Sequence, residues 1–149
     1  MDEAKIREIV EKMLFDNGKK EMTIDEIAVV QPGLARIMPE IGSRTWKLFY
    51  AAKAGNWANA MYQWKETRAL FELGAFMRPK HEAAIEEYLR DSWPPLEAAI
   101  KAKDFEKFKV AFERAIDDAN AWHEKKEKPY IRWKLPDFPP PDLDLTPRK

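Results

Sequence analysis

The chain of 149 residues is 45% apolar and 12% aromatic, and its 26 basic residues balance its 26 acidic residues. Such a length and composition predict a folded protein with a sizeable core. The balanced charge disfavours binding to nucleic acid or to an anionic membrane surface. Because the sequence has no cysteine, disulfides, thiolate metal sites, cysteine nucleophiles and covalently attached haem are excluded.

Residues 1–33 are predicted to form an N-terminal helical arm. One face of its first helix is apolar and consists of Ile6, Ile9, Val10, Met13 and Leu14. Asn17-Gly18 would end this helix, and Thr23 with Glu26 reads as a capping box that starts a short second helix ending at Pro32-Gly33. The arm either covers the main body or docks a partner. No apolar run suits a signal peptide or a membrane span, so we expect a cytoplasmic protein.

An internal repeat gives the main evidence on architecture. The segment "AAKAGNWANAMYQWKETRA", from Ala51, aligns without gaps to "AIKAKDFEKFKVAFERAID", from Ala99. In each copy a Lys ends one helix, Asn56 or Asp104 caps the next, and an aromatic residue follows the cap. Each copy therefore predicts the short turn of an αα-hairpin with antiparallel helices. A third copy is missing, so two hairpins in an antiparallel four-helix bundle are favoured over a repeat solenoid.

The predicted bundle spans residues 34–128, with helices at 34–54, 56–77, 80–102 and 104–127, and the fold class is all-α. Pro39 would delay or kink the first helix, and Trp93-Pro94-Pro95 would bend or break the third. The candidate core residues are Ile41, Thr45, Leu48, Phe49, Ala52, Ala60, Tyr62, Trp64, Ala69, Phe71, Leu73, Phe76, Ala84, Ile85, Tyr88, Leu89, Leu96, Ile100, Phe105, Phe108, Phe112, Ala115, Ile116 and Ala119.

Residues 129–149 form a proline-rich tail, which excludes a helix or a central strand there. The tail also carries large apolar side chains, which a disordered segment normally lacks. We therefore expect an extended segment docked on the bundle or on a second subunit. The alternative is a polyproline ligand for the aromatic groove of another protein.

Residues 119–123, Ala-Asn-Ala-Trp-His, keep the frame of the haem-attachment motif C-x-x-C-H without its cysteines. With this frame near the end of its fourth helix, the predicted bundle resembles the cytochrome c′ family over residues 34–133. The stretch "HEKKEKPYIRWKLP" also resembles the one that follows the motif in small c-type cytochromes of this arrangement. The stretches "QPGLARIMPEIG" and "IRWKLPDFPPPDLDL" are similar to a bacterial family of such bundles. In cytochromes c′ the motif's histidine ligates the haem iron and the cysteines hold the porphyrin. Only His123 carries over, since Ala119 and Trp122 replace the cysteines.

The resemblance implies one ligand hypothesis. A neutral imidazole at His123 could ligate haem iron without a covalent bond, beside Trp122, Trp46 and Trp64, which could surround a flat apolar ligand in the bundle. The structural alternative is that His123 caps the end of its helix and is stabilised there when protonated. Tryptophans can equally fill a core.

No pattern for catalysis is present. Neither histidine belongs to a Glu-x-x-His motif, and the sequence has no phosphate-binding loop and no G-x-S-x-G serine. We therefore expect no catalytic residue, no metal site and no cofactor. The favoured function is a non-enzymatic interaction or accessory protein, whose partner is a second copy of the chain or another protein. The alternative is non-covalent binding of haem or another flat ligand at His123.

Overall fold

The computed structural model describes residues 2–11, 14–16 and 21–148. The chain forms two compact units, the first ending at Pro32 and the second beginning at Gly33. Within the described residues, no helix is both long and apolar enough to span a bilayer.

The first unit contains short helices and a small β-hairpin. Helix α1 spans Glu3–Glu11, strands β1 and β2 span Leu14–Asp16 and Glu21–Thr23, and helix α2 spans Ile24–Val29. The two strands pair antiparallel. The hairpin was not predicted, and the expectation that Leu14 continues the first helix is wrong. Met13 and Asn17-Gly18, the predicted helix stop, lie outside the described residues.

The predicted capping box at the start of α2 is confirmed. The Thr23 backbone N–H donates to Glu26 Oε2 at 2.9 Å, and the Glu26 backbone N–H donates to Thr23 Oγ1 at 3.2 Å. The two residues thus satisfy two of the N–H groups that a helix start leaves without intrahelical acceptors.

The second unit is helical and its helices pack as neighbours. Helices α3, α4, α5 and α6 span Leu34–Lys53, Trp57–Met77, Glu82–Ala102 and Phe105–Lys125, and a 3-10 turn at Pro79–His81 precedes α5. Helix α3 packs on α4, α4 on α5, α5 on α6 and α6 on α3, an arrangement consistent with a bundle. The predicted helical class is confirmed, and every helix end lies within two residues of its predicted position.

The two repeated turns have the same construction. Asn56 Oδ1 accepts the backbone N–H of Asn59 at 3.1 Å, and Asp104 Oδ1 accepts that of Lys107 at 3.0 Å. The residue before each cap is left-handed: Gly55 has φ +76° and Lys103 has φ +53°. In both turns the cap's own backbone N–H returns to a carbonyl five residues earlier, that of Ala51 or Ala99. These are the bonds that close a helix C-terminus through a left-handed residue.

The prolines do not break their helices, which corrects the break expected at residues 93–95 and the late start expected at Pro39. Pro94 and Pro95 both lie inside the continuous α5, and Pro39 lies inside α3. All three are exposed, so the carbonyls that lose an intrahelical donor can be hydrated. On either side of the proline pair, Trp93 and Leu96 are buried and hold α5 against the core.

Most of the predicted core is buried, but α4 departs from the prediction. Tyr62 is 53% exposed, Leu73 44% and Phe76 81%, and Ala69 is also exposed. In their place α4 buries two polar residues, Gln63 and Thr67. The candidates that are only half-buried are Ala84, Phe105, Ile116 and Ala119.

The C-terminal segment from Lys126 to Arg148 contains no helix or strand and contacts α3 and α6. Its polar contacts include the Tyr50 hydroxyl, which donates to the Pro136 carbonyl at 2.6 Å, and Lys47, which pairs with Asp142 at 2.6 Å. The side chain of Leu145 is buried in the core. Trp133 and Leu135 also pack against the core, whereas Tyr130 and Phe138 are exposed.

Candidate functional site

His123 lies in the last turn of α6 and is half-buried. Its Nδ1 atom is buried and makes no hydrogen bond among the described residues. Burial lowers the pKa of the imidazole, and a backbone interaction with Ile131 opposes part of that shift. Burial thus favours the neutral imidazole over the charged form that was expected at the helix C-terminus.

Trp122 lies on another side of the same helix end. Lys125 Nζ sits 4.3 Å from the centre of its ring, and Lys126 Nζ sits 6.0 Å away. Both distances are within the range of cation–π contacts. The indole therefore contacts charged side chains rather than an apolar ligand space.

Trp122 also borders an open cleft of about 290 Å³ between α5 and α6. The Ser92 hydroxyl donates to Asp118 Oδ2 at 2.8 Å inside the cleft. Tyr88 donates its hydroxyl to the Ala115 carbonyl, and burial raises the pKa of the phenol, so Tyr88 is a structural donor and not a base. The lining is largely charged: Glu87, Tyr88, Asp91, Ser92, Arg114, Asp118, Ala121, Trp122 and Lys125.

Trp46 belongs to a different group of rings, the tail-side aromatic cluster. Its neighbouring ring centroids are 4.9 to 6.4 Å apart. Trp46 contacts Phe112 of α6 at 6.4 Å and Trp133 of the C-terminal segment at 5.5 Å. The cluster consists of Trp46, Phe49, Tyr50, Phe105, Phe108, Phe112 and Trp133.

Trp64 belongs to a second group, the inner aromatic cluster, formed by Trp64, Phe71, Tyr88 and Trp93. Trp64 donates its indole N–H to the Trp93 carbonyl at 3.2 Å. The Trp93 Nε1 atom is buried and has no hydrogen-bond partner within the part of the chain that the structure describes. Both aromatic clusters are filled by their own side chains at ordinary ring-contact distances.

The four residues proposed as a ligand site are therefore not gathered around one slot. Trp46 and Trp64 lie in separate clusters, and no ring contact joins either of them to Trp122 among the described residues. Of the four, only His123 carries a nitrogen of the type that ligates iron, and its unpartnered Nδ1 atom is buried. Ala119 and Trp122 offer no thioether. The described residues contain no group of three His, Asp or Glu side chains placed to hold a metal ion.

The feature that sequence reasoning missed is the outer face of α4, defined as Tyr62, Ala69, Leu73 and Phe76. Phe76 is more exposed than the other large side chains of this face. The opposite side of the same helix buries Ala60, Gln63, Trp64, Thr67, Phe71, Gly74 and Ala75. Helix α4 is thus apolar on both sides, whereas a surface helix normally has a single apolar stripe.

A signal for this face was present in the sequence. Tyr62, Ala69 and Phe76 recur every seven residues, and Phe71 and Trp64 form another seven-residue pair on the opposite side. Periodicity alone places both sets in the core, although one side of a helix in a four-helix bundle must face away from it.

Comparisons with known protein families, curated proteins and solved structures find no match for this chain.

Proposed function

We propose that this chain is a non-enzymatic helical-bundle interaction or accessory protein, and that it binds other protein surfaces through the outer face of α4. The observation that carries this proposal is the exposure of Tyr62, Leu73 and Phe76 on a helix whose other side already builds the core. Large apolar side chains exposed together on one side of a helix mark a candidate protein-binding surface. Aromatic residues such as Tyr and Phe are enriched in such interfaces.

The scaffold for this surface is proposed to be an antiparallel four-helix bundle of two αα-hairpins, related in fold to cytochrome c′. Between α4 and α5, Trp64 contacts Trp93 and Phe71 contacts Tyr88, so residue numbers rise along one helix as they fall along the other. Between α3 and α6 the same inverse order joins Trp46 to Phe112 and Phe49 to Phe105. Connections of only a few residues favour this arrangement.

The C-terminal segment is proposed to stay docked on its own bundle, which acts in the cytoplasm. Asn120 supports this docking because its side chain both donates to the Trp133 carbonyl at 3.0 Å and accepts the Trp133 N–H at 2.7 Å. The paired bonds satisfy a buried amide with backbone groups of the segment. A segment held in this way is part of the scaffold and not a free polyproline ligand.

Site-specific photo-crosslinking tests the interaction function. A photoreactive phenylalanine analogue replaces Leu73 on the outer face of α4, and in a matched variant it replaces Val110, which is 69% exposed on α6. In cells that naturally make the chain, position 73 should give discrete protein adducts that Tyr62→Glu removes, while position 110 should give none above background. Equal adducts from both positions, or none from position 73, would contradict the proposal.

Non-covalent ligand binding at His123 is the second candidate function, and the unpartnered Nδ1 atom favours it. A bound haem would supply an iron centre held by that imidazole, in the neutral form that burial maintains. Titration of purified protein with haemin should then shift the Soret band, and His123→Ala should abolish the shift while His81→Ala retains it. An unshifted band, or a shift independent of His123, rejects this candidate.

A further inference from the structure

The C-terminal segment carries a run of prolines between two points at which it is bonded to α3. The Tyr50 hydroxyl donates to the Pro136 carbonyl at 2.6 Å, and Lys47 Nζ pairs with Asp142 Oδ2 at 2.6 Å. Lys47 and Tyr50 lie three residues apart, which places them on one face of the helix. Residues 137–141, which we call the proline loop, are therefore fixed at both ends by the bundle.

The proline loop is exposed along most of its length. Phe138 is 81% exposed, and Pro139 and Pro141 are exposed as well. Pro140, between them, is half-buried. The loop therefore presents apolar side chains to solvent while the residues at its two ends stay bonded to α3.

The sequence of the loop restricts its backbone to an extended conformation. Each proline fixes its own φ, and each residue that precedes a proline is restricted to the extended and polyproline II region. Phe138, Pro139 and Pro140 all precede a proline, so all three are restricted in this way. In agreement, residues 139–140 belong to no helix, strand or turn, and a turn follows at residues 141–142.

The exposed side chains have the spacing of a polyproline ligand. A polyproline II helix has three residues per turn, so its side chains form three edges. Phe138 and Pro141 are three residues apart and share one edge, and Pro139 lies on a second. Both of these edges are exposed, whereas the third carries the half-buried Pro140. Aromatic-lined grooves recognise residues at this three-residue spacing, as in the pattern Pro-x-x-Pro.

A charge at the start of the loop adds to the description of the partner. Asp137 is exposed and makes no hydrogen bond or ion pair within the described part of the chain. The carboxylates that follow the loop are engaged, Asp142 by Lys47 and Asp144 by the backbone N–H and hydroxyl of Thr146. A basic side chain at the border of a partner's groove would therefore find Asp137 available.

We infer that the proline loop is a further protein-binding surface, and that it docks into an aromatic-lined groove of a partner with a basic side chain near Asp137. Phe138 and Pro141 enter the groove together from their shared edge. Because the bonds to α3 order the loop before binding, it loses less conformational entropy than a free proline-rich peptide would. The segment as a whole stays part of the scaffold, and only the loop is offered.

Binding of the full chain to a panel of purified SH3 and WW domains, whose grooves are aromatic-lined, tests the inference. Interferometry should identify at least one domain that binds, and Phe138→Ala should weaken its binding about tenfold. Tyr130→Ala is the matched control, because Tyr130 is 76% exposed on the same segment outside the loop, and it should bind like the wild type. Binding to none of the domains, or equal losses in the two variants, would overturn the inference.

Release of one end of the loop tests whether the bundle presents it in an ordered form. Asp142→Asn removes the ion pair with Lys47 and leaves residues 137–141 unchanged, so it should weaken binding to the same domain several-fold. A free peptide of residues 134–144 should also bind more weakly than the full chain. A peptide that binds as tightly as the full chain would overturn presentation of the loop by the bundle.

This inference goes beyond the proposed function and can fail separately from it. Tyr62→Glu, on the outer face of α4, should leave binding of the proline loop unchanged. Phe138→Ala should likewise leave the adducts from position 73 unchanged. Loss of both kinds of binding in either variant would contradict two separate surfaces. Far-UV circular dichroism of Phe138→Ala should match the wild type, since the side chain is exposed.

Discussion

Gly42 of α3 is the residue at which side-chain size decides how the C-terminal segment packs. A Cβ atom at this position would lie 2.6 Å from Cζ3 of Trp133, closer than real Cβ contacts. Trp133 cannot easily withdraw, because its backbone N–H and carbonyl are both bonded to Asn120. We predict that Gly42→Ala lowers the free energy of unfolding by about 1–3 kcal/mol, as overpacking of a core does. Denaturant unfolding measures the change.

The control for this prediction is a background in which Gly42→Ala should no longer lower the free energy of unfolding. In a Trp133→Ala background the obstructing ring is gone, so Gly42→Ala should be neutral or should stabilise by up to about 1 kcal/mol, since alanine is the better helix former. A penalty of equal size in both backgrounds would mean that the indole does not rest on Gly42.

The lowered pKa values of His81 and His123 predict that stability depends on pH. Burial lowers the pKa of His123, and burial followed by the charges of Lys80, Lys126 and Lys128 lowers that of His81. The unfolded chain, whose histidines have a pKa of about 6.5, therefore binds more protons than the folded chain in this range. The free energy of unfolding should fall as the pH decreases from about 7.5 to about 5.5.

Substitution identifies the groups responsible for that slope. Each histidine can contribute at most about 1.4 kcal/mol per pH unit to the slope of the unfolding free energy against pH. His123→Gln should therefore reduce that slope by less than this amount. His81→Gln should flatten it further when the two substitutions are combined. An unchanged slope in the double variant would assign the pH dependence to carboxylates instead.

Sequence reasoning at this scale located His123 but not its surroundings. The frame of residues 119–123 correctly placed the histidine near the end of α6. Its burial depends on how the segment that includes Ile131 folds back toward the helix, and no local pattern encodes that contact. Because this contact buries His123, the protonated imidazole expected at the helix end is disfavoured.

The two repeated turns provide a comparison at the scale of secondary-structure elements. Gly55 and Lys103 occupy equivalent left-handed positions, and only glycine adopts this conformation without a steric penalty. We predict that Lys103→Gly raises the free energy of unfolding by about 1 kcal/mol, and that Gly55→Ala lowers it by a similar amount. Thermal unfolding with matched denaturant curves measures both changes.

The paired substitutions control one another, because they exchange residue types at one structural position. A Cβ atom added at Gly55 would meet no other atom within 4 Å. Any loss of stability from Gly55→Ala therefore reflects the backbone conformation and not a clash. Equal effects of the same sign at the two turns would show that they are not built alike.

The turns were predictable because their signals are local, whereas the helix through Pro94 and Pro95 was not. Each turn depends on a capping residue and on the aromatic residue that follows it, which are neighbours in the sequence. The repeat can therefore be recognised from the sequence alone. A proline pair signals a break on local grounds alone. Burial of Trp93 and Leu96 on either side outweighs that local preference, and this depends on tertiary packing.

At the scale of the whole molecule, the sequence predicted the helical class and the ends of α3 to α6 within two residues, but not which side of α4 faces the core. Both sides of α4 are apolar, so periodicity alone cannot choose between them. Contacts with α3 and α5 make the choice. They bury Gln63, whose side-chain amide donates to Asn59 and accepts from Arg44, in preference to the more apolar Leu73.

The most direct test of this account compares two phenylalanines of α4 that lie five residues apart. Phe71 is buried in the inner aromatic cluster, and Phe76 is 81% exposed on the outer face. Denaturant unfolding at a protein concentration that keeps the chain monomeric should show that Phe71→Ala lowers the free energy of unfolding by about 3–5 kcal/mol. Phe76→Ala should change it by less than about 0.5 kcal/mol. Similar losses of unfolding free energy in Phe71→Ala and Phe76→Ala would contradict the account in which one side of α4 builds the core and the other side is a binding surface.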